Sequence, residues 1–300
     1  MSAPLEILDT ARSHPFLKER VALKGGTALN LFVLDVPRLS VDIDLNYIGA
    51  ADRDAMLTER PKVEQAVQAV CGRLGIQVKR APSDHAGGKW RLSYTGASGR
   101  SGSLELDLNF MQRTPLWPPA ATDSRSIGPY AATQVPVLDI HEIAAGKLRA
   151  LFSRNASRDL YDTRELLKRS GFDNSRLRLG FVVYGGASRR DWRTVSPVDV
   201  KGDPGDVQNN LIPVLRSALA PPPEELTVWT ETLVKECRDL VSALLPLEPQ
   251  EMEFLRLLND EGRVAPDLLT DDGGLQSIIL KQPALMWKAL NVRKHFGLVE

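Results

Sequence analysis

Two segments of the chain alternate between apolar and polar residues, the pattern of a strand with one buried face. In residues 40–47, one face carries Ser40, Asp42, Asp44 and Asn46, and the other carries Val41, Ile43, Leu45 and Tyr47. In residues 104–110, one face carries Glu105, Asp107 and Asn109, and the other carries Leu104, Leu106, Leu108 and Phe110. We therefore predict two strands, each with an acidic face and an apolar face that can enter a core.

The remaining patterns predict a first part that mixes helices and strands and a second part that is mostly helical. Apolar residues have helical spacing in residues 4–20, 52–74, 139–154 and 157–170, and short strands are expected at 21–23, 76–80 and 90–94. Residues 114–136, rich in Pro, Ala, Ser and Thr, are expected to form an extended loop. Helical patterns follow at 207–219, 224–245 and 249–258, and a basic and apolar segment closes the chain at 278–295. These patterns predict two domains, 1–170 and 171–300.

Composition narrows the class of protein. The 300 residues include 38 basic and 38 acidic side chains, so the formal net charge is zero and any binding of nucleic acid has to come from a local basic patch. No apolar run has the length of a membrane span, and the N-terminus lacks the regions of a signal peptide. Cys71 and Cys237 are too few and too isolated for a disulfide framework or a zinc site, so a reducing cytoplasm is expected.

Asp42 and Asp44 stand two residues apart on one strand face, where they could hold a hard divalent cation. Magnesium is usually bound by one or two carboxylates together with substrate phosphates. A solvated acidic strand is the alternative interpretation of this pair by itself. If the second acidic strand pairs with the first, Asp107 lies close by, and like charges about 5 Å apart across a sheet are destabilising unless something offsets them. The repeated design therefore favours a cation site.

The Gly25-Gly26 pair lies between the predicted strand 21–23 and a short apolar helix running from Ala28 to about Val33. Glycines allow a sharp turn and a close approach of the backbone to a ligand. Thr27 is a candidate helix cap, and the free amide groups of the first turn would then face the site. A plain tight turn is the alternative interpretation.

A basic residue and two acidic residues lie in the later helices. Lys147 falls within the apolar stripe of helix 139–154, so its ammonium group either extends to solvent or reaches a phosphate from a buried stem. Ser157 is expected to cap the following helix, and Asp159 in its first turn suits the helix dipole. Asp162 lies beyond the first turn, so the dipole accounts for it less well.

These residues fall in motifs that resemble a known family. The sequences KGGTAL at residues 24–29 and RLSVDIDL at 38–45 are similar to the first motif of the AbiEii/AbiGii and MenT nucleotidyltransferase-like toxins. The sequences AGKLRALFSR at 145–154 and RDLYD at 158–162 are similar to its later motifs, in the same order. FLRLL at 254–258 and PALMWK at 283–288 resemble the C-terminal helices of the family.

The resemblance implies an α/β (α+β) fold with a DNA polymerase β-like nucleotidyltransferase core and a mostly helical C-terminal domain. It implies the toxin of a toxin–antitoxin or abortive-infection system. Such a toxin transfers nucleotides from a nucleoside triphosphate to an acceptor, expected to be the tRNA 3′ end, and so blocks translation. The implied cofactor is Mg²⁺, and the implied partners are a nucleoside triphosphate, tRNA and a cognate AbiEi/MenA-like antitoxin, with no membrane involved.

The family roles transfer to individual positions. The implied catalytic residues are Asp42, Asp44, Lys147 and Asp162. The implied metal ligands are Asp42, Asp44 and Asp107, the last from its strand position. The implied nucleotide-binding residues are Lys24, Gly25, Gly26, Thr27, Arg38 and Ser40. Two alternatives stay open: nucleotidylation of a protein by the same site, and a non-catalytic binding module whose acidic strands are structural.

Overall fold

The computed structural model describes residues 3–40, 42–82, 87–96, 99, 101–169 and 171–297. By their contacts, the residues form two compact units, Met1–Asp139 and Ile140–Glu300. In the part of the chain that is described, no helix is both long and apolar enough to cross a bilayer. The domain boundary expected after residue 170 stays a prediction.

The described residues of the first unit form a mixed sheet of seven strands. The strands are β1 (Val21–Lys24), β2 (Ile43–Tyr47), β3 (Gln77–Arg80), β4 (Gly87–Thr95), β5 (Ser101–Asn109), β6 (Ala120–Thr122) and β7 (Val135–Val137). Their order across the sheet is β3-β4-β5-β2-β1-β7-β6. β2 pairs with β5, and β1 with β7, in parallel, whereas the other neighbouring pairs are antiparallel.

The two acidic strands predicted from the sequence, β2 and β5, are neighbours in the middle of the sheet. Their apolar faces are buried, with Ile43 fully buried and Leu106 only 1% exposed. Completely burying one such side chain stabilises the fold by roughly 1.5–3 kcal/mol relative to exposing it. The polar face is half-buried along most of its length, but Asn46 is also buried. Val41 lies outside the described residues. The two strands pair in parallel, so the condition under which Asp107 lies close to Asp44 is met.

The helices of the first unit are α1 (Ala3–Ser13), α2 (Gly25–Thr27), which continues as a π-helical segment (Ala28–Val33), and α3 (Arg53–Arg73). The carboxylate of Asp52 caps α3 by accepting bonds from the amides of Asp54 and Ala55. α1 ends well before the predicted end at residue 20. Pro15 accounts for this, because a proline disfavours helical backbone in the residue before it and donates no amide hydrogen.

The predicted extended loop over residues 114–136 is wrong in part, because β6 and the start of β7 lie within it. Each of these strands has three residues, which is too short to show an alternating pattern. Pro136 in the middle of β7 further hides the strand, since proline is depleted in sheets. β7 nevertheless adds to β1 in parallel through Leu23 and Val137 and extends the sheet on that side.

The second unit is helical over its described residues. Its helices are α4 (Ile140–Arg154), α5 (Ser157–Leu167), α6 (Asn174–Gly186), α7 (Pro204–Asp206), α8 (Leu226–Val241), α9 (Pro249–Asp260), α10 (Gly273–Leu280) and α11 (Pro283–His295). Short 3₁₀ turns lie at Trp192–Thr194, Pro197–Asp199, Ile212–Val214, Ser217–Leu219, Pro223–Glu225 and Pro266–Leu268, and a π-helical turn at Val207–Leu211. This confirms the predicted helical character of residues 171–300.

Helix α6, which sequence patterns did not predict, packs against α4 in the core of the second unit. Phe181 from α6 contacts Phe152 and Trp192, with ring centroids 6.0 and 5.1 Å apart, respectively. A Cβ atom on Gly185 would lie 2.0 Å from the indole nitrogen of Trp192. The glycine, unfavourable for a helix by itself, is therefore needed so that the indole can pack against the helix backbone.

Candidate active site

A row of four charged residues crosses the centre of the sheet in the first unit. Lys24 lies opposite Asp44 in the β1–β2 pair, and Asp44 lies opposite Asp107 in the β2–β5 pair. Lys89 lies opposite Asp107 in the β4–β5 pair and ends the row. Residues in register project from the same face of a sheet. Two carboxylates therefore stand side by side with a lysine on each outer flank, and Asp42 lies just before β2, close enough for its carboxylate to attract the Lys89 ammonium.

The Gly25 backbone lies directly against Asp44. A Cβ atom built on Gly25 would come within 2.1 Å of Asp44 Oδ2, and the residue has a φ of +73°, which glycine adopts without strain. The turn that starts α2 thus brings main-chain atoms to the carboxylate because no side chain stands between them. The alternative of a plain turn does not by itself account for this approach.

Thr27 connects this turn to the segment before β2. The prediction that Thr27 caps a helix is wrong, because α2 already begins at Gly25 and no side-chain cap bond is made. The fully buried Thr27 hydroxyl instead donates to the main-chain carbonyl of Asp42 and lies 3.1 Å from Ser40 Oγ. The threonine therefore positions the carboxylate-bearing segment relative to the Gly25-Gly26 turn.

Two predicted phosphate-binding cations lie in this unit as well. Lys24 Nζ donates to Gln112 Oε1 at 2.9 Å. Arg38 is 3% exposed, and one of its guanidinium nitrogens donates to the carbonyl oxygen of Leu39 at 2.9 Å. Lys24 thus stands in the charged row, whereas the Arg38 side chain is largely enclosed by protein.

Magnesium fits this row by the chemistry of its donors, because Mg²⁺ prefers oxygen ligands. Among the described residues, no group of three or more His, Cys, Asp and Glu side chains is arranged to hold a metal ion. Two carboxylates are enough, since Mg²⁺ usually completes its coordination with water and substrate phosphates. Asp44 and Asp107 provide such a pair in adjacent strands. The three-carboxylate set that includes Asp42 stays a prediction.

The second unit contains a buried ion cluster around Lys147. The Lys147 ammonium lies 2.7 Å from Asp162 Oδ2 and 3.3 Å from Asp159 Oδ1. Arg154 Nε lies 2.5 Å from the other oxygen of Asp159. Taken as whole residues, Lys147 is 9% exposed, and neither Asp159 nor Asp162 is more than 1% exposed. The lysine therefore does not extend to solvent, and two acidic residues of α5 fix its ammonium group.

Three further polar residues of these elements, Ser157, Glu105 and Glu142, have defined partners in the structure. The cap of α5 is Ala156, and Ser157 instead donates its amide and hydroxyl groups to Asp206, so the predicted Ser157 cap is wrong. Glu105 binds Lys89 at 2.6 Å, and Glu142 is buried and accepts a bond from the Tyr184 hydroxyl.

Sequence reasoning missed Lys89 and gave Asp159 only a helix-dipole role. The strand predicted at residues 90–94 is longer in the structure and starts at Gly87. Extending the alternation back by one residue from Trp90 would have placed Lys89 on the face opposite that buried tryptophan. For Asp159, its position twelve residues after Lys147 gave no signal of contact, because the two lie on different helices.

The mixed sheet carries paired carboxylates beside a glycine turn, the arrangement expected for a nucleotidyltransferase core. The sequence matches the family described as nucleotidyl transferase AbiEii toxin, type IV toxin–antitoxin system, over residues 6–248. The chain belongs to this family of toxins and is a nucleotidyltransferase. A search of curated proteins finds no match.

A solved structure with the same fold is MenT4, a nucleotidyltransferase toxin from Mycobacterium tuberculosis H37Rv. The two chains are 18% identical, and the alignment covers 94% of this chain and 91% of MenT4 with a TM-score of 0.61. The likeness confirms the expected mixed α/β nucleotidyltransferase fold.

Proposed function

We propose that this chain is a Mg²⁺-dependent toxin that transfers a nucleotide from a nucleoside triphosphate to the 3′ end of tRNA and so blocks translation. The observation that supports this most directly is the register of Asp44 with Asp107, together with the approach of the Gly25 backbone to Asp44. Acidic side chains on rigid neighbouring strands suit a metal-bound triphosphate, because nucleotide transfer relies on positioning and electrostatic stabilisation.

In the proposed reaction, the acceptor hydroxyl attacks the α-phosphorus, its proton passes to solvent water, and pyrophosphate leaves as the bond to the α-phosphorus breaks. Asp42, Asp44 and Asp107 would hold magnesium, which would neutralise phosphate charge. Asp42 is positioned for this role by the Thr27 hydroxyl, which donates to its carbonyl group.

The phosphates are bound by main-chain and basic groups. The amides of Gly25 and Gly26 approach phosphate oxygens, because glycine allows the backbone close to the carboxylates. Lys24 supplies positive charge from the flank of the charged row. Ser40 and Arg38 complete the nucleotide-binding set, and Arg38 acts from a buried position by ordering the backbone at Leu39.

Lys147 and Asp162 are the remaining catalytic residues of the proposal. The 2.7 Å pair with Asp162 orients the ammonium group, and burial limits the positions that it can adopt. Such preorganisation suits a cation that stabilises phosphate charge in the transition state. Asp159 has a positioning role, since it binds both Lys147 and Arg154.

The proposed setting follows from family membership in a type IV toxin–antitoxin system. We expect a cognate AbiEi/MenA-like antitoxin as the partner and the cytoplasm as the site of action. Nucleotidylation of a protein hydroxyl by the same residues is the competing proposal. The residues described above are proposed to bind the nucleotide, and none of them identifies the acceptor.

The decisive experiment incubates the protein with each of the four labelled nucleoside triphosphates, Mg²⁺, total RNA and a protein extract. We expect label in the tRNA fraction, lost on treatment with ribonuclease. Asp44→Asn is expected to abolish transfer while the melting temperature stays within a few degrees of the unaltered chain. Asp54→Asn is the matched control, because Asp54 is 90% exposed on α3 of the same unit.

Label recovered only in protein would support the competing proposal. Full nucleotide transfer by a folded Asp44→Asn protein would show that the paired carboxylates are not needed for the reaction. If nucleotide and Mg²⁺ together fail to raise the melting temperature and no label is transferred, the chain is a binding module with structural acidic strands.

A further inference from the structure

The charged row continues beyond the two carboxylates to a lysine that lies outside the family motifs. Lys89 on β4 lies opposite Asp107, just as Lys24 on β1 lies opposite Asp44. Residues in register share a face of the sheet, so the two lysines flank the carboxylates from opposite sides. The site is therefore bracketed by positive charge along the row.

The Lys89 side chain is able to move. It is 64% exposed, and its ammonium lies 2.6 Å from Glu105 Oε2. An exposed ion pair of this kind contributes little to stability, so the ammonium can leave Glu105 at small cost. The bond to Glu105 raises the pKa of Lys89, and the attraction of Asp42 and Asp107 adds to the effect. The ammonium is thus positively charged and lies within the field of the acidic row.

Sheet geometry places Lys89 close enough to contact a triphosphate held at Asp44 and Asp107. Adjacent strands lie about 5 Å apart, so the Lys89 backbone is about 5 Å from that of Asp107 and about 10 Å from that of Asp44. The flexible four-carbon stem of lysine spans much of this distance. A triphosphate held at Asp44 and Asp107 carries several negative charges, and it binds best where cations approach it from more than one side.

We propose that Lys89 binds a phosphate group of the nucleotide held at Asp44 and Asp107, exchanging its bond with Glu105 for one with the triphosphate. The inference rests on the proposed function and adds a residue from β4 to the nucleotide site. The ligand is recognised through its phosphates, so all four nucleoside triphosphates are expected to use Lys89 equally.

Arg91 provides a matched control on the same strand. It shares the face of Lys89, is 68% exposed, and lies 3.7 Å from Glu105. In the strand register, however, Arg91 lies opposite Glu105 rather than Asp107, one row further from the paired carboxylates. If lost positive charge weakens phosphate binding in general, Lys89→Ala and Arg91→Ala should both weaken it. If Lys89 makes a specific phosphate contact, only Lys89→Ala should do so.

The test measures binding of inorganic tripolyphosphate with Mg²⁺ to the full chain by calorimetry, which requires neither catalysis nor a choice of base. Lys89→Ala is expected to weaken binding by roughly 10-fold to 100-fold, the range for one hydrogen bond with a charged group. Lys89→Arg should retain most of the affinity, and Arg91→Ala should change it by less than about 3-fold. Glu105→Gln, which removes the competing carboxylate, should leave binding equal or tighter.

Lys89→Ala with unchanged affinity would overturn the inference, as would equal losses in Lys89→Ala and Arg91→Ala. Weaker binding by Glu105→Gln would contradict the proposed exchange. These results leave the proposed function intact if Asp44→Asn still loses binding. Absence of tripolyphosphate binding by the unaltered chain would overturn this inference, whereas the transfer assay described above decides the proposed function separately. Thermal unfolding of each variant confirms folding, which is expected because both basic side chains are exposed.

Discussion

Replacing Lys147 by alanine tests whether the buried cluster holds the second unit together. In the folded chain the ammonium lies 2.7 Å from Asp162 and 3.3 Å from Asp159. Its side chain is 11% exposed, and those of the two carboxylates are 0% and 2% exposed. Removing one partner of a buried ion pair leaves uncompensated charge and costs about 3–5 kcal/mol. We therefore expect Lys147→Ala to destabilise the protein as well as reduce transfer.

For a unit the size of Ile140–Glu300, each kcal/mol lowers the melting temperature by roughly 2–4 °C, so a total fall of roughly 6–20 °C is expected. Thermal unfolding followed by circular dichroism measures it. Lys168→Ala is the matched control. The Lys168 ammonium lies 3.0 Å from Glu236, but both side chains are more than a third exposed, so the free energy of unfolding is expected to fall by less than about 1 kcal/mol.

A second variant separates charge from packing. Lys147→Met with Asp162→Asn removes the charges of this pair and should be more stable than Lys147→Met alone, because it no longer keeps the buried negative charge that the ammonium offset. A fall below about 2 °C in Lys147→Ala would refute this reasoning and leave the lysine with a purely chemical role. Transfer assays on Lys147 variants therefore have to be run well below their own melting temperatures.

Two further outcomes follow from local geometry. Gly25→Ala is expected to lose transfer and at least about 1–2 kcal/mol of stability, because the residue has a positive φ and a Cβ would meet Asp44. Gly72→Ala is the control on α3, where a Cβ would meet only open space, and its free energy of unfolding should rise by up to about 1 kcal/mol. Burial raises the pKa of Cys71 to about 11 and that of Cys237 to about 12, so neither thiol should react with a disulfide reagent at pH 8 in the folded protein, whereas both should in guanidinium chloride. Normal transfer by Gly25→Ala, or rapid labelling of the folded chain, would contradict these expectations.

The parts of the fold that the sequence predicted are those with a strong local period. The strands β2 and β5 could be predicted because Ile43 and Leu106 belong to unbroken alternations. Their parallel pairing could be stated only as a condition, because contacts between distant segments leave no local pattern. Helix α6 was missed because its residues 179–186 are all buried and include three glycines, so this part of its sequence has neither a polar face nor high helix propensity.

The candidate site shows the same division between local and non-local information. Asp42 and Asp44 became candidates through their spacing together with the second acidic strand, and the motifs supplied Lys147 and Asp162. The charge partners of these residues could not be predicted, because they come from other strands and helices. Lys89 lies opposite Asp107 through the β4–β5 register, which the sequence does not show.

The parallel pairing of β2 with β5 brings together two carboxylates that lie far apart in the sequence, which under the proposed mechanism affects when the enzyme can become active during its synthesis. Asp44 and Asp107 come from segments separated by a long helix and two other strands, so their pairing is a late, non-local event of folding. A nascent chain whose residues up to Asn109 have not yet left the ribosome contains Asp44 without Asp107 opposite it. Under the proposed mechanism, which needs both carboxylates, an unfinished chain and fragments that end before β5 are expected to be inactive. Such fragments of the toxin would then transfer no nucleotide before an antitoxin is available.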